Sequence, residues 1–323
     1  MSACREGVLG ALDEVESQLG ELPELARARV RARAGGAAAL AVLGRRGVGK
    51  SSLLNALSPR EVAAVGHVVD TTRAASAHEI DGVRGLLWVD GPGLRGALEA
   101  VSPEAALAPW DPFATLVVVG ATEVETGRED LRRAAAYLHA RPKRLRRCVI
   151  VVNRVDELDP VDDYAPPFRS PRKGIHIAEA CARARRALAR EGVDAVEVVP
   201  VSSVLVREGD AVTFDGRWNL EALRAVLRSL ADADAAAQGG RALGRELASI
   251  ALRYAESRRE LSTTPTAPER ALVCALLGEE PAPGALARRV FGERGAWVRA
   301  VASAARRAGV DALRQRGVQR AGA

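Results

Sequence analysis

Lysine is almost absent from this chain of 323 residues. Of the 47 basic side chains 44 are arginine, and the three lysines are Lys50, Lys143 and Lys173. This imbalance, together with abundant alanine, indicates a coding bias, so a lysine that is retained against it is informative. Aromatic residues make up only 3% of the chain, so the core must be built mainly from Val, Leu and Ala. The apolar share of 48% excludes a wholly disordered chain.

Long apolar runs and paired cysteines are also lacking. The longest uncharged stretches, such as Ala34–Gly44 and Pro112–Thr122, fall well short of the roughly 20 residues that a membrane-spanning helix needs. Acidic residues interrupt the first 16 positions, which argues against a secretory signal. The four cysteines are scattered without a CxxC pair, which argues against a zinc site or a disulfide framework. We therefore expect a reduced, cytoplasmic protein.

The net charge of +6 is concentrated near one end. Residues 241–323 contain 15 arginines and 8 acidic residues, so the first 240 residues are close to neutral. A basic region of this kind can attract nucleic acid or an anionic lipid surface. An arginine-rich solvated helical face has the same composition, and the sequence leaves both interpretations open.

Helical patterns flank a central region with a different pattern. Apolar residues from Val8 to Leu22 recur at spacings of four and three, which places them on one helical face. Pro23 is expected to interrupt or restart this helix, and Gly35-Gly36 to end it. We divide the chain into an N-terminal helix (1–36), a central domain (37–231), a linker (232–240) and a basic helical region (241–323).

Short apolar runs alternate with helical stretches in the central domain. The runs predict buried strands at Ala37–Leu43, Gly85–Val89, Thr115–Val119, Cys148–Val152 and Val196–Val201. The helical stretches are Lys50–Leu57, Arg128–Ala140, Ile175–Arg190 and Asn219–Leu230. This alternation predicts an α/β fold, with a mostly parallel sheet covered by helices on both faces. The polar stretch Glu157–Gly174 is expected to be a long surface loop.

The segment from Gly44 to Ser51 fits the phosphate-binding pattern GxxxxGK[ST]. It follows an apolar strand and opens a helix, so its backbone N–H groups can face an anion. Lys50 would reach the β- and γ-phosphates, and the Ser51 hydroxyl would bind Mg²⁺. The residues expected to contact the nucleotide here are Gly44, Arg45, Arg46, Gly47, Val48, Gly49, Lys50, Ser51 and Ser52.

Two further motifs are placed to sense the phosphates. The sequence Asp90-Gly-Pro-Gly93 follows a predicted strand, where Asp90 can hold Mg²⁺ and the Gly93 N–H can contact the γ-phosphate. Asp-Gly and Pro-Gly are also ordinary turn dipeptides. Between the two sites lies Asp70-Thr-Thr-Arg73, where Thr72, with Thr71 as the alternative, can complete the Mg²⁺ shell.

The sequence Asn153-Arg-Val-Asp156 follows the strand Cys148–Val152 and predicts recognition of a base. An aspartate carboxylate can accept two hydrogen bonds from the N1–H and exocyclic amine of guanine, a pair that adenine does not present. Asn153 can fix the loop, and Arg154 can lie along the purine face. Ser202 and Ser203, after the next strand, are placed to close the pocket from the other side.

These motifs together resemble the five G motifs of the TRAFAC GTPases, most closely the Era-like and dynamin-related branch. GRRGVGKSSLLNAL, DTTR, WVDGPG, NRVD and VPVSS appear in the family's order over residues 37–231. The resemblance implies a P-loop G domain with a six-stranded sheet and Mg²⁺-dependent hydrolysis of GTP to GDP. It also implies a protein partner or a G-domain homodimer, because members of this branch draw catalytic help from outside the motifs.

The chain departs from the family pattern at three positions. Arg154 stands where the family usually has lysine, which keeps the charge and the stacking surface. Leu94 stands where Ras-like members have a water-orienting glutamine, and Gly47 stands where some members hold a potassium ion with asparagine. Lys50, Thr72, Arg46 and Gly93 are therefore the candidate catalytic groups, with Arg45 and Arg73 as further arginines that could stabilise charge.

Several functions remain open at this point. A switch would pass its nucleotide state through Thr72 and Gly93 to the flanking helices and a protein partner. A dynamin-like engine would use helices from both chain ends as a stalk, with peripheral membrane contact. An Era-like RNA-binding protein is the third reading, because the GxxG in Val290–Val301 superficially resembles a KH loop, although no strands surround it and Glu293 opposes phosphate. A scaffold that binds without hydrolysis is the fourth.

Overall fold

The computed structural model describes residues 9–10, 12–13, 15–17, 20–58, 76–90, 103–124, 128–141, 147–193, 197–208 and 211–257. The chain divides into two compact units. One is Ala39–Ala235, and the other combines the described residues before Ala39 with those after Ala235. The predicted residues Thr71, Thr72, Arg73, Gly93 and Leu94 lie outside the described residues, as does the GxxG segment.

The central unit is built on a six-stranded sheet. The strands in chain order are β1 (Ala38–Leu43), β2 (Ser76–Ile80), β3 (Val83–Asp90), β4 (Ala114–Gly120), β5 (Arg147–Asn153) and β6 (Glu197–Pro200). Their order across the sheet is β2-β3-β1-β4-β5-β6. β4 pairs in parallel with both β1 and β5, and β5 pairs in parallel with β6, whereas β2 and β3 are antiparallel. The predicted α/β fold with a mostly parallel six-stranded sheet is confirmed.

Burial on both faces of the sheet explains why the central strands appear in the sequence as apolar runs. Every residue of β1 and β4 is buried, as expected for parallel strands that are covered on both faces. One of the two faces packs the side chains of β1, β4 and β5 against Leu131 and Leu138 of one helix and Ala184 and Leu188 of another. The β-branched residues Val117, Val119, Ile150 and Val152 dominate the sheet side of this cluster.

The helices in chain order are α1 (Pro23–Arg33), α2 (Lys50–Leu57), α3 (Pro103–Leu107), α4 (Arg128–His139), α5 (Pro171–Arg190), α6 (Leu220–Leu230) and α7 (Ala233–Ser257). α1 starts with proline at its first turn, so the predicted restart at Pro23 is confirmed. Its end is followed by Gly35 and Gly36, both with positive φ. The short hairpin of β7 (Leu205–Glu208) and β8 (Ala211–Asp215) forms a separate two-stranded sheet.

The helical unit has a buried ion pair between α1 and α7. The Arg31 side chain is fully buried, and its Nε lies 3.2 Å from Glu246 Oε1 while a terminal nitrogen donates to the Ala37 carbonyl at 3.1 Å. Burial raises the pKa of Glu246, and Arg31 and Arg27 oppose that shift. α7 also runs close to the chain after α1, because a Cβ on Gly239 would lie 2.0 Å from the Gly36 carbonyl oxygen.

Three expectations need correction. The linker predicted at 232–240 is helical from residue 233, since residues 233–240 are the first two turns of α7. Alanine and glutamine favour helix there, and Gly239 permits close approach within the helical unit. The predicted loop Glu157–Gly174 ends earlier, because α5 already begins at Pro171. The edge strand β2 and the hairpin were missed, because their partly exposed, polar sequences lack an apolar run.

Candidate nucleotide-binding site

The loop after β1 is shaped by glycines that no other residue could replace without strain. A Cβ on Gly44 would lie 2.5 Å from the Val118 carbonyl oxygen, so the chain passes directly against β4. Gly49 has a φ of 91°, and a Cβ there would lie 2.4 Å from the Asn153 side-chain nitrogen. Gly47 also has positive φ, but its surroundings are open. The backbone can therefore wrap closely enough for its N–H groups to surround phosphates.

Lys50 begins α2 and bends back across this loop. Its Nζ donates to the Gly44 carbonyl at 3.0 Å and to the Arg45 carbonyl at 3.3 Å. These bonds hold the ammonium group against the loop, and Lys50 is the first residue of α2. A cation and a helix N-terminus at one point form a site for an anion such as a phosphate.

Ser51 and Asp90 meet at the end of β3 and can hold a divalent cation. The Ser51 hydroxyl donates to Asp90 Oδ2 at 3.5 Å. Asp90 is 6% exposed, and burial raises the pKa of its carboxyl while Lys50, His78 and Ser51 oppose the shift. The other oxygen, Oδ1, is buried without a hydrogen-bond partner in the described part of the chain. A hydroxyl and a buried carboxylate beside a phosphate loop are hard oxygen donors that fit Mg²⁺.

Asn153 ties the phosphate loop to the two loops on the opposite side of the site. Its Nδ2 donates to the Val48 carbonyl at 2.9 Å, and its Oδ1 accepts from the Ser203 hydroxyl at 3.1 Å. The Asn153 side chain is fully buried, so both bonds are made away from water. This residue therefore links the loop after β1 to the loop after β6.

Arg154 and Asp156 lie on the loop that follows Asn153. Arg154 has a φ of 64°. Its guanidinium lies 3.6 Å from a carboxylate oxygen of Glu157, and the Arg154 side chain is 31% exposed. Burial raises the pKa of Glu157, and Arg154 opposes that shift. Among the described residues, Asp156 Oδ1 is buried and accepts no hydrogen bond. A buried carboxylate oxygen without a donor is suited to receive one from a ligand.

Ser202 and Ser203 follow β6 and have different surroundings. The Ser202 backbone pairs with Trp218, donating at 3.2 Å and accepting at 2.9 Å. The Ser202 hydroxyl is buried with no hydrogen-bond partner within the described ranges, whereas the Ser203 hydroxyl is engaged by Asn153. Ser203 therefore fixes the framework, and Ser202 keeps a hydroxyl for another contact.

The sequence-predicted residues fall into four groups in the structure. The phosphate loop, Asp90, Asn153 and Ser203 are linked by the contacts given above, while Asp156 and Ser202 carry unpartnered polar atoms beside them. Arg45 forms an ion pair with Glu123, and Arg46 is exposed. Thr72 and Gly93 belong to the segments outside the described residues. Their predicted roles, like those of all these residues, stay predictions.

Sequence reasoning missed two residues at the site. Glu123 lies in the 3₁₀ turn after β4 and engages Arg45. Lys173, in the first turn of α5, is fully buried and donates to three carbonyls of the loop that carries Asp156. The signal for Lys173 was available, since it is one of three lysines in an arginine-rich chain, but nothing in the sequence gave its partners.

Comparisons with known proteins agree with this geometry. Residues 39–160 match the model of a family described as 50S ribosome-binding GTPase. GTPase Der of Symbiobacterium thermophilum is 32% identical over 162 residues, which are 48% of this chain and 33% of that protein. The tRNA modification GTPase MnmE of Hydrogenovibrio crunogenus is 40% identical over 105 residues, 32% of this chain and 23% of that protein. This chain thus spans a third or less of these curated relatives.

A solved structure that resembles this chain is the LeoA bacterial dynamin GTPase from ETEC. It has a TM-score of 0.44 and 17% identity, and the match covers 78% of this chain and 49% of that one. In the described part of this chain, no helix combines the length and apolar character needed to cross a membrane. The family match over residues 39–160, with the phosphate loop and the sheet order, confirms the predicted resemblance to the P-loop GTPases of the TRAFAC class.

Proposed function

We propose that this chain binds GTP together with Mg²⁺ and hydrolyses it to GDP. The observation that carries the proposal is the Asn153 side chain, which joins the phosphate loop at Val48 to the base side at Ser203. One polar framework thereby fixes the spacing between an anion site and the unpartnered carboxylate oxygen of Asp156. A purine nucleoside with a chain of phosphates spans two such sites.

The residues have separable tasks in this proposal. The loop N–H groups and Lys50 bind and orient the phosphates, and Asp156 selects guanine by accepting from its N1–H and exocyclic amine. Ser51 and Asp90 would hold Mg²⁺, which supplies charge neutralisation at the β- and γ-phosphates when bound. Thr72 and Gly93 would sense the γ-phosphate from the switch segments.

A charge-stabilising arginine is needed because Leu94 cannot orient water. Arg46 is exposed on the phosphate loop, where its guanidinium can reach a bound phosphate group, so we assign this role to Arg46. An arginine in this role accelerates phosphoryl transfer by about 10³–10⁵-fold in related chemistry. Arg46→Ala should lower turnover far more than GTP affinity, and Arg45→Ala is the matched variant on the neighbouring position.

A conformational change caused by the bound nucleotide would be transmitted through the C-terminal end of the domain, where α6 is followed by α7. Two residues separate α6 from α7, and Arg147 at the start of β5 pairs with Asp232 at 2.5 Å and with Asp234 at 3.1 Å. The guanidinium of Arg147 also lies 4.5 Å from the centre of the Phe113 ring. These contacts support a role for the flanking helices in passing the signal to a protein partner.

The decisive experiment compares nucleotide binding and turnover for the wild-type chain and Lys50→Ala. Titration with GTP, GDP and ATP in the presence of Mg²⁺ should show guanine preference, and Lys50→Ala should lose most of the affinity for GTP. A wild-type chain that binds neither GTP nor GDP would refute the proposal. Preference for ATP would refute the role of Asp156 specifically.

A dynamin-like assembling GTPase is the second candidate. The observation in its favour is that described residues from both chain ends form one compact helical unit. Such a protein would hydrolyse GTP faster per molecule at higher protein concentration, because its domains would assist one another. Specific activity that is constant over a wide concentration range would exclude this candidate.

A further inference from the structure

Lys173 is a buried cation without a task in the site described so far. Its side chain is 0% exposed, and its ammonium group donates to the main-chain oxygens of Asp156 at 2.7 Å, Pro160 at 3.3 Å and Leu158. The Nζ atom also lies 5.3 Å from the centre of the Phe168 ring. Three carbonyls from one short stretch of chain therefore converge on one side chain.

This position is unfavourable for a cation on general grounds. Lys173 lies in the first turn of α5, where the helix dipole disfavours positive charge. Burial lowers the pKa of Lys173, and the nearby carboxylates of Asp163, Asp156, Asp159 and Asp162 oppose that shift. A lysine retained here, in a chain that otherwise uses arginine, needs a structural reason. Its compact head with three donors matches three convergent carbonyls, whereas the planar fork of arginine does not.

The bonded carbonyls belong to the loop that selects the base. We call residues 154–160 the Asp156 loop; its only regular structure is the 3₁₀ turn Val155–Glu157. On one side the Val155 N–H donates to the Val201 carbonyl at 3.3 Å. On the other side Lys173 holds the carbonyl of Asp156 itself. The main chain that carries the Asp156 carboxylate is thus fixed from both sides.

We propose that Lys173 is a positioning residue for guanine recognition, which holds the main chain of the Asp156 loop so that the Asp156 carboxylate meets the base. The inference rests on the proposed function, because it presumes that Asp156 accepts from guanine. Lys173 does not touch the nucleotide in this assignment. Its effect reaches the ligand through Asp156 alone, so it acts on the choice of base and leaves the phosphate contacts intact.

The test is the ratio of ADP to GDP dissociation constants, measured by calorimetric titration with Mg²⁺. Lys173→Met removes the donors at nearly constant length, and Arg172→Met makes a comparable change on the adjacent exposed residue. ADP has the same diphosphate but lacks the donor pair that Asp156 accepts. We expect Lys173→Met to weaken GDP binding by about tenfold and ADP binding hardly at all, with Arg172→Met unchanged.

The ratio separates positioning from a loss of folded protein, because an unfolded fraction raises both dissociation constants by the same factor. If Lys173→Met does not fold, Lys173→Gln keeps two donors and gives the same comparison with a smaller decrease. If Lys173→Met leaves the ratio unchanged, either because neither affinity falls or because both fall equally, the role of Lys173 is overturned. A wild-type chain without preference for GDP over ADP would instead refute the proposed function. In the background of Asp156→Ala, Lys173→Met should leave the ratio unchanged, and a further decrease there would contradict action through Asp156.

Discussion

The proposed phosphate end and the proposed base end of the site are held in place by different means. The phosphate loop takes its shape from glycines, whose positive φ and close approach to Val118 and Asn153 exclude a Cβ. The base end is held by side chains, with Asn153, Ser203 and Lys173 bonded to neighbouring loops. A substitution that adds a side-chain atom should therefore disrupt the phosphate loop, whereas one that removes a hydrogen bond should disrupt the base end.

The largest effect is expected from adding one methyl group to the phosphate loop. Gly49→Ala combines a strained φ with a Cβ placed 2.4 Å from the Asn153 side-chain nitrogen. That side chain cannot easily move, because its nitrogen donates to Val48 and its oxygen accepts from Ser203. We expect the free energy of unfolding to fall by about 3 kcal/mol and the affinity for GDP to fall roughly 100-fold. Gly47→Ala has the same unfavourable φ but open space, so its loss should be clearly smaller. Equal losses in the two variants, measured by titration, would contradict the steric argument.

The next effect tests the residue that joins the two ends. Asn153→Ala removes the bond to Val48 and leaves the Ser203 hydroxyl without its acceptor. Two buried hydrogen bonds of this kind contribute about 2 kcal/mol to stability, so the free energy of unfolding in denaturant should fall by that amount. The affinity for GDP should fall at least tenfold. Because Asn153 serves both ends, binding of GDP and ADP should weaken together. A loss confined to GDP would place Asn153 in base recognition alone.

A smaller effect should separate the two serines after β6. Ser203→Ala removes a buried hydrogen bond to Asn153 and should lower the free energy of unfolding by about 1 kcal/mol. Ser202→Ala removes a hydroxyl that has no partner within the described ranges, so unfolding should hardly change. In the background of Asn153→Ala, the cost of Ser203→Ala should largely disappear. Additive costs would show that the two side chains act independently.

The smallest effect concerns acid stability of the loop that leads to α5. The Asp163 carboxylate accepts from the Ser170 and Arg169 N–H groups, and these bonds hold its pKa below the ordinary value of 3.8. A lowered pKa adds stability above the unfolded value, and that stability is lost as pH falls through the folded pKa. Asp163→Asn should therefore be less stable than wild type near neutral pH. The difference should begin to decrease near pH 3.8 and vanish only below the lowered folded pKa, with Asp162→Asn as the control for loss of one charge.

Much of the fold could be predicted because the parallel strands are buried on both faces. Apolar runs marked β1, β4 and β5 nearly to the residue, and the polar motifs after them marked the same edge of the sheet. β2 was missed because a partly exposed edge strand such as Ser76–Ile80 needs no apolar run. The helical conformation of the predicted linker at 232–240 was missed because its residues are small and polar in sequence, yet they form the start of a helix.

The candidate site divides in the same way. The phosphate loop is local, so Gly44–Ser51 could be recognised from spacing alone. Asp156 could be predicted because its motif directly follows a strand. Lys173 could not be assigned, since its partners lie 13 to 17 residues away and a buried lysine contradicts the usual preference for the surface.

The sequence by itself determined the order of the motifs, the buried strands and the glycines of the phosphate loop, because these depend on neighbours along the chain. Only the tertiary structure decided which side chains hold the loops together. Asn153 meets a carbonyl 105 residues away, and Arg31 meets Glu246 at a separation of 215 residues. Such contacts arise when distant segments are packed side by side, and burial then makes a polar partner obligatory.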